Sequence, residues 1–487
     1  MILIPIFMYL ILMLFIAWYV GKIKHRDDVD FMEEYFMGSR SMGGMVLAMT
    51  VVATYVGASS FIGGPGVAYK LGLGWVLLAC IQTPTAFLTL GMLGKKLAII
   101  GRKIHGVTIT DYLRARYQNE WVVTLGSIAI VLFSIGTVVV QFIGGARLFE
   151  SVTGLSYIVG LISFSLVVVL YTSFGGFRAV TLTDAIQGIV MLIATLILFL
   201  ALLDKGGGME NIMKTIMAKN PALLTPDSGG AIPQPYILSF WILVGIGILG
   251  LPATSIRCMG FKDSKSMHSA MIIGTSVVGL LMLGMHLVGV MGIAIDPNIQ
   301  IGDKAIPILA ISTLHPVIAG VFIAGPLAAI MSTVDSLLIM SSANIIKDFY
   351  IKYFMKGKEV APDKIKFIST ATSLILGIIV FILALNPPQL LVILNLMFLA
   401  AQESIFFCPI LFGLYWKRAN ATGALASMIV GFSSYLYFFL KNPKPFGMHP
   451  IAPVVAISVI AFIIGSYLGK PIEKDKLALF FDEDEQV

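Results

Sequence analysis

The stretch VVATYVGASSFIGGPGVAY, residues 51–69, is apolar enough to lie in a bilayer, yet it carries Gly57 and then Gly63-Gly64-Pro65-Gly66 where a spanning helix should run unbroken. In hydrocarbon every backbone N–H and C=O needs a partner, so interrupted helices are tolerated only where protein or a water-filled cavity satisfies the freed groups. A second such stretch, GIGILGLPATS at 245–255, carries Gly245, Gly247, Gly250 and Pro252, and the proline removes one amide donor. Five apolar runs start with the first interruption, over 43–203, and five with the second, over 235–414. Interruptions at the head of two matching halves predict an inverted-repeat secondary transporter with its site at the breaks. Close helix packing explains any one glycine equally well. Their paired placement favours the repeat.

The rest of the chain fits this reading. Its 487 residues are 58% hydrophobic and 12% charged, with a mean hydropathy of +0.94, which excludes a soluble enzyme with a solvated surface. Apolar runs of about 20 residues recur thirteen times, predicting an all-α polytopic membrane protein of about 13 transmembrane helices. Residues 1–42 add an extra helix and a linker before the repeats. Residues 204–234 form a loop with one short Met/Ile surface helix, and 415–487 hold two last helices and the acidic tail Asp482-Glu483-Asp484-Glu485. With the N-terminus outside, 25 of the 33 Lys and Arg fall on the cytoplasmic side, and cytoplasmic loops retain such cations. The expected protein is multi-pass in the cell (inner) membrane, N-terminus outside and C-terminus cytoplasmic. Lys22, Lys24 and Arg26 follow the first run, as they do in a retained anchor rather than a cleaved signal. The net charge of +7 thus borders the spans and implies no nucleic acid partner. Cys80, Cys258 and Cys408 show no paired spacing, so neither disulfide nor metal cluster is expected.

An ionisable group deep in a span costs roughly 2.5–3.5 kcal/mol or more, so each needs a partner or a task. Asp184, His286, Asp335 and Glu403 are such residues. Ser332, Thr333, Asp335 and Ser336 put oxygens on adjoining faces of one helix, a set suited to a hard cation such as sodium and lacking the His and Cys of a transition-metal site. Hydroxyls bonded back to the preceding turn are the competing explanation. Gln141 and Gln402 serve either as readers of a polar substrate or as links between helices. The chain has no GxxxxGK[ST], HExxH or GxSxG, hence no ATP-coupling or hydrolase motif. No cofactor beyond a coupling ion and no obligate protein partner are expected.

Several segments resemble the sodium:solute symporter family: EYFMGSRSMGG (34–44), SSFIGGPG (59–66) with Ala68 and Tyr69, and FGGFRAV (174–180) with Thr183, Asp184 and Gln187. Gly413-Leu414, Arg418 and Gly423-Ala424 continue the likeness. Within that family GSRSMGG, VQFIGGARL (140–148) and Gly250-Leu251-Pro252 are most like the pantothenate branch. The resemblance implies a leucine-transporter-type five-plus-five inverted repeat with broken helices. It implies a sodium site made of the Ala53, Val56 and Ala329 carbonyls and the Ser332 and Thr333 hydroxyls. Asp184 matches a carboxylate on the cytoplasmic ion route, and Ser336 a hydroxyl near which some sugar symporters hold a second sodium; an ion pair with Arg178 is the competing role for Asp184. Tyr55 and Ala253 stand where the proline branch has an acid and a histidine. An anionic substrate such as pantothenate would then meet the amides near Ala58, Ser59 and Ser60 at the positive end of a half-helix, and neutral groups at Gln141, Thr254, Ser255 and Gln402. Another small carboxylate, a sugar or an amino acid is the alternative cargo, and a transporter-like sensor or channel the alternative class.

Overall fold

Each apolar run becomes a helix because only intrasegment hydrogen bonding satisfies a backbone surrounded by hydrocarbon. The computed structural model describes residues 1–21, 31–355, 360–387 and 391–481, less the side chains of 21, 39 and 174–178. Lys22, Lys24, Arg26, the Arg178 side chain and the acidic tail therefore lie outside the described residues. Among these, ten helices are long and apolar enough to cross a bilayer. They are span one (Leu3–Val20), three (Leu73–Lys103), four (Glu120–Thr153), six (Ala179–Lys205), eight (Ser264–Ile295), nine (Pro316–Phe354), ten (Pro362–Leu383), eleven (Leu391–Tyr415), twelve (Ala421–Lys441) and thirteen (Ile451–Leu468). Span two is the bent pair Gly44–Tyr55 and Ser59–Leu71, and spans five (Tyr157–Ser173) and seven (Gln234–Gly250) are shorter. The molecule is a multi-pass helical membrane protein.

Spans five and six lie on one helix, Tyr157–Lys205, that is not straight. A straight helix would separate Tyr171 from Thr183 by about 18 Å, yet the Tyr171 hydroxyl donates to Thr183 Oγ1. Loop 204–234 contains the helix Met209–Lys219, seated through the buried Ile212 and Ile216. The opposite face carries residues 104–119 and 258–263 and is called the basic face below.

The interruption of span two falls at Gly57 and not at the denser glycines of 63–66. Span two bends by 70°, and the cause is one extended residue, Val56 (φ −88°, ψ 104°). Gly63-Gly64-Pro65-Gly66 is helical throughout. Its glycines instead allow close approach. A Cβ on Gly63 would lie 3.0 Å from the Val392 amide nitrogen of span eleven, one on Gly64 2.3 Å from His286 Nε2 of span eight, and one on Gly66 2.4 Å from the Gly302 carbonyl oxygen. Span seven loses regular winding over Trp241–Gly250, turns extended at Leu251 (φ −89°, ψ 119°) and resumes as Pro252–Arg257, the proline occupying a first-turn position that needs no amide.

At the basic face, Asp348 accepts hydrogen bonds from Thr110 (2.7 Å), Ser127 (2.6 Å) and Arg114 (2.6 Å). Beside it Asp111 caps its own helix and pairs with Lys347 at 2.7 Å. Burial alone would raise the Asp111 carboxyl, but the Lys347 ammonium and the Val107 and Thr108 amides hold it below the usual carboxylate range. This network ties the end of span nine to the segment before span four.

Candidate functional site

Ending the first half of span two at Tyr55 leaves its last carbonyls without intrahelical amides. Two of them are met from span nine. Ser332 Oγ lies 3.0 Å from the Ala53 carbonyl oxygen and 3.0 Å from that of Ala329. Thr333 Oγ1 lies 3.4 Å from Ala53 O, 3.5 Å from Val56 O and 3.1 Å from Ala329 O. Five oxygens from two helices thus converge in a buried cluster. Separations of this size suit a hard cation with ligands at about 2.4 Å, whose neighbouring oxygens stand roughly 3.4 Å apart. Every donor in the set is neutral, which favours a monovalent ion; divalent calcium sites enlist carboxylates. Each hydroxyl lies within reach of a carbonyl on its own turn and of one across the break.

On the other side of the bend the first amide of the second half is taken: Ala58 N donates to Gln141 Oε1 at 2.7 Å. Gln141 therefore caps the half-helix, and the Ala58 amide is not open to an anion. Gly57 makes room for this arrangement, since a Cβ there would lie 2.7 Å from Gln141 Oε1 and 2.9 Å from Thr333 Oγ1.

Two cavities flank the break. A central one of about 500 Å³ touches Gly57, Gln141, Thr254, Thr333 and Gln402. The other, about 510 Å³, lies toward the 204–234 loop and touches Ser60, Gln82, Trp75, Phe240 and His286. Tyr55, Ser59, Asn395 and Leu399 border both. A third cavity near the basic face is lined by Arg257 and Ser336 and shares Ala253 with the central one.

The sodium:solute symporter family model matches residues 35–431. The chain belongs to that family. It is a transporter rather than an enzyme, and sodium is its coupling ion. The chain is 45% identical over 478 residues to the sodium/pantothenate symporter of Escherichia coli (strain K12), covering 97% of each chain. It is 46% identical over 456 residues to the sodium/pantothenate symporter of Haemophilus influenzae (strain ATCC 51907 / DSM 11121 / KW20 / Rd), covering 93% of this chain and 94% of that one. Among solved structures, a Na+-coupled sialic acid symporter in a substrate-bound outward-open state superposes with a TM-score of 0.81 at 21% identity, covering 96% of this chain and 98% of that one. The fold is accordingly the leucine-transporter-type inverted repeat.

In this symporter the remaining residues singled out from the sequence fall in different surroundings. Gln402, Thr254, Ser59 and Ser60 border cavities. Ser255 borders none of the three and donates to Leu251 O at 2.9 Å. Asp184 and Ser336 meet around a residue that polarity arguments passed over. Arg257 Nη2 lies 2.6 Å from Ser336 Oγ and 3.7 Å from Asp184 Oδ2, and its Nε 3.1 Å from Thr54 Oγ1. Thr50 also donates to Asp184 at 2.6 Å. Asp335 stands apart from the five oxygens and accepts from Thr172 of span five at 2.7 Å. Glu403 is fully buried, with one oxygen 2.6 Å from where a Gly247 Cβ would be.

Sequence reasoning also missed Asn395 and the buried ion pair of Arg147 with Asp303, whose carboxylate accepts from Leu391 N at 3.2 Å. Asn395 had a signal, a lone amide in an apolar run. The ion pair had none, because its members lie 156 residues apart.

Proposed function

We propose that this symporter imports pantothenate by alternating access, driven by sodium held among Ala53, Val56, Ala329, Ser332 and Thr333. The single observation carrying the substrate is identity of 45% and 46% to two sodium/pantothenate symporters across nearly their whole length. Residues at the cavities support it: Tyr55 and Ala253 border the central cavity, so it presents a phenol where an ammonium-bearing substrate would want an acid and a methyl group where the proline branch has a histidine. A cation bridging span two to span nine stabilises the arrangement in which the bend is ordered, and sodium and substrate then raise each other's affinity by the same factor. The cation also attracts the substrate carboxylate. This replaces the contribution expected of the Ala58 amide, which Gln141 occupies.

Asp184 and Ser336 serve sodium's departure toward the basic face rather than a second ion. The support is the Arg257 guanidinium, a fixed cation already seated between their oxygens. Residues 43–203 and 235–414 form the two repeats, with the basic face cytoplasmic, the N-terminus outside, the C-terminus cytoplasmic and the protein in the cell (inner) membrane, on the strength of the lysine and arginine distribution. The test is uptake of labelled pantothenate into proteoliposomes under an imposed sodium gradient, with unlabelled pantothenate, proline, glucose and short monocarboxylates as competitors. Sodium-driven accumulation competed by pantothenate alone is expected. Competition by proline or glucose but not pantothenate refutes the substrate while leaving the symporter standing.

A further inference from the structure

His286 has a fixed orientation and a fixed tautomer. Its Nδ1 lies 2.7 Å from the Met282 carbonyl oxygen; a carbonyl only accepts, so Nδ1 carries the proton and Nε2 is left as an acceptor. Two glycines bring that acceptor to span two. Gly64 leaves the space in front of Nε2, where its own Cβ would intrude at 2.3 Å, and Gly289, one turn along span eight, admits the Pro65 carbonyl, which a Cβ would meet at 2.1 Å. The ring thus lies on the wall of the loop-side cavity, with Ser59, Ser60, Gln82 and Asn395 around the same space. The charged chemistry is elsewhere. The sodium oxygens lie on the central cavity, through Thr333, and the two cavities share four lining residues.

We propose that the two cavities are one elongated substrate site and that His286 reads its far end, accepting through Nε2 a hydrogen bond from a substrate hydroxyl. This rests on the pantothenate reading. The carboxylate end lies in the central cavity near the sodium, where unlike charges attract, and the branched diol end reaches the loop-side cavity. There the apolar faces of Trp75 and Phe240 border its methyl groups and His286 accepts from one hydroxyl. A site built to pair a substrate hydroxyl rejects an analogue lacking it, because its own buried acceptor is then left unpaired.

The test measures binding of labelled pantothenate to the purified full chain in sodium, displaced by pantothenate or by analogues lacking one hydroxyl at a time. Wild type, His286→Met (similar length, no acceptor) and His286→Gln (an oxygen near the position of Nε2) are compared. One deoxy analogue should bind wild type about tenfold more weakly than pantothenate, the worth of one buried hydrogen bond. His286→Met should bind the two alike at the weaker level with its sodium requirement unchanged, and His286→Gln should recover discrimination. Equal loss for every analogue on wild type and His286→Met overturns the assignment. Should His286→Met fail to fold, wild type decides, since indifference to each missing hydroxyl also overturns it. Absence of any pantothenate binding by wild type is a different failure, which sinks the substrate reading and this inference with it.

Discussion

The breaks in spans two and seven, which head the two proposed repeats, both turn on one extended residue, Val56 or Leu251. They differ in where the freed carbonyls find partners. Ile248 O, ahead of the span-seven break, is met by Leu251 N at 3.0 Å and Thr254 Oγ1 at 3.5 Å, groups of its own next turn. Ala53 O and Val56 O are met by Ser332 and Thr333, on a helix almost 280 residues further along the chain. The carbonyl freed at the span-seven break is paired within its own segment. The span-two break is closed only while span nine lies against it, so whatever binds there also fixes how two helices sit. Matching positions in a repeat thus yield one hinge and one junction, and the difference lies in which helix carries the hydroxyls.

The contrast predicts a descending series of effects. Removing both span-nine hydroxyls (Ser332→Ala with Thr333→Ala) takes two of five oxygens from the ion, and the sodium concentration for half-maximal uptake should rise roughly 100-fold with membrane insertion intact; an unchanged sodium curve would falsify the junction. Gly57→Ala should cost about 1–3 kcal/mol of sodium and substrate binding together, as overpacking does, because its methyl meets both Gln141 and Thr333. Calorimetric titration of each ligand tests it, and loss of one affinity without the other would show that the bend does not couple them. Asp184→Asn should slow turnover about tenfold while pantothenate binding stays within about twofold, since a carboxylate on an exit route acts on departure. Comparing binding with uptake in one preparation decides, and wild-type turnover would end that role. Ser255→Ala removes only a bond local to the hinge and should leave sodium and substrate affinities within about twofold. A larger change would mean that the second break is also a junction.

Much of this was readable in one dimension. Span order follows from runs of about 20 apolar residues, and the oxygen-rich face of span nine from the spacing of Ser332, Thr333 and Ser336. The resemblance supplied the partners Ala53 and Val56, which no pattern in the chain marks, since a carbonyl belongs to every residue. Of the glycines in the first interruption, Gly57 lies at the bend and the later cluster does not. Gly63, Gly64 and Gly66 answer to neighbours on span eleven, on span eight and at Gly302, and a sequence does not show whether a glycine bends its own helix or admits another. In the sequence Arg257 is one more basic residue at the end of a span. Its meaning depends on Asp184 and Ser336, 73 and 79 residues away on other helices.

The Ser332 and Thr333 hydroxyls have one more consequence, concerning the half of the cycle that moves no cargo. A symporter must return its unloaded site across the membrane as often as it delivers a loaded one, and a cluster of bare carbonyls in a dry interior would resist that journey. Hydroxyls offer two faces to the same spot: lone pairs for an ion, or a proton for a carbonyl after the ion has gone. Rotation about two side-chain bonds can turn one proton from each hydroxyl toward a freed carbonyl, Ser332 to Ala53 O at 3.0 Å and Thr333 to Val56 O at 3.5 Å. With the proposed sodium site, the unloaded carrier would then travel with both freed carbonyls paired.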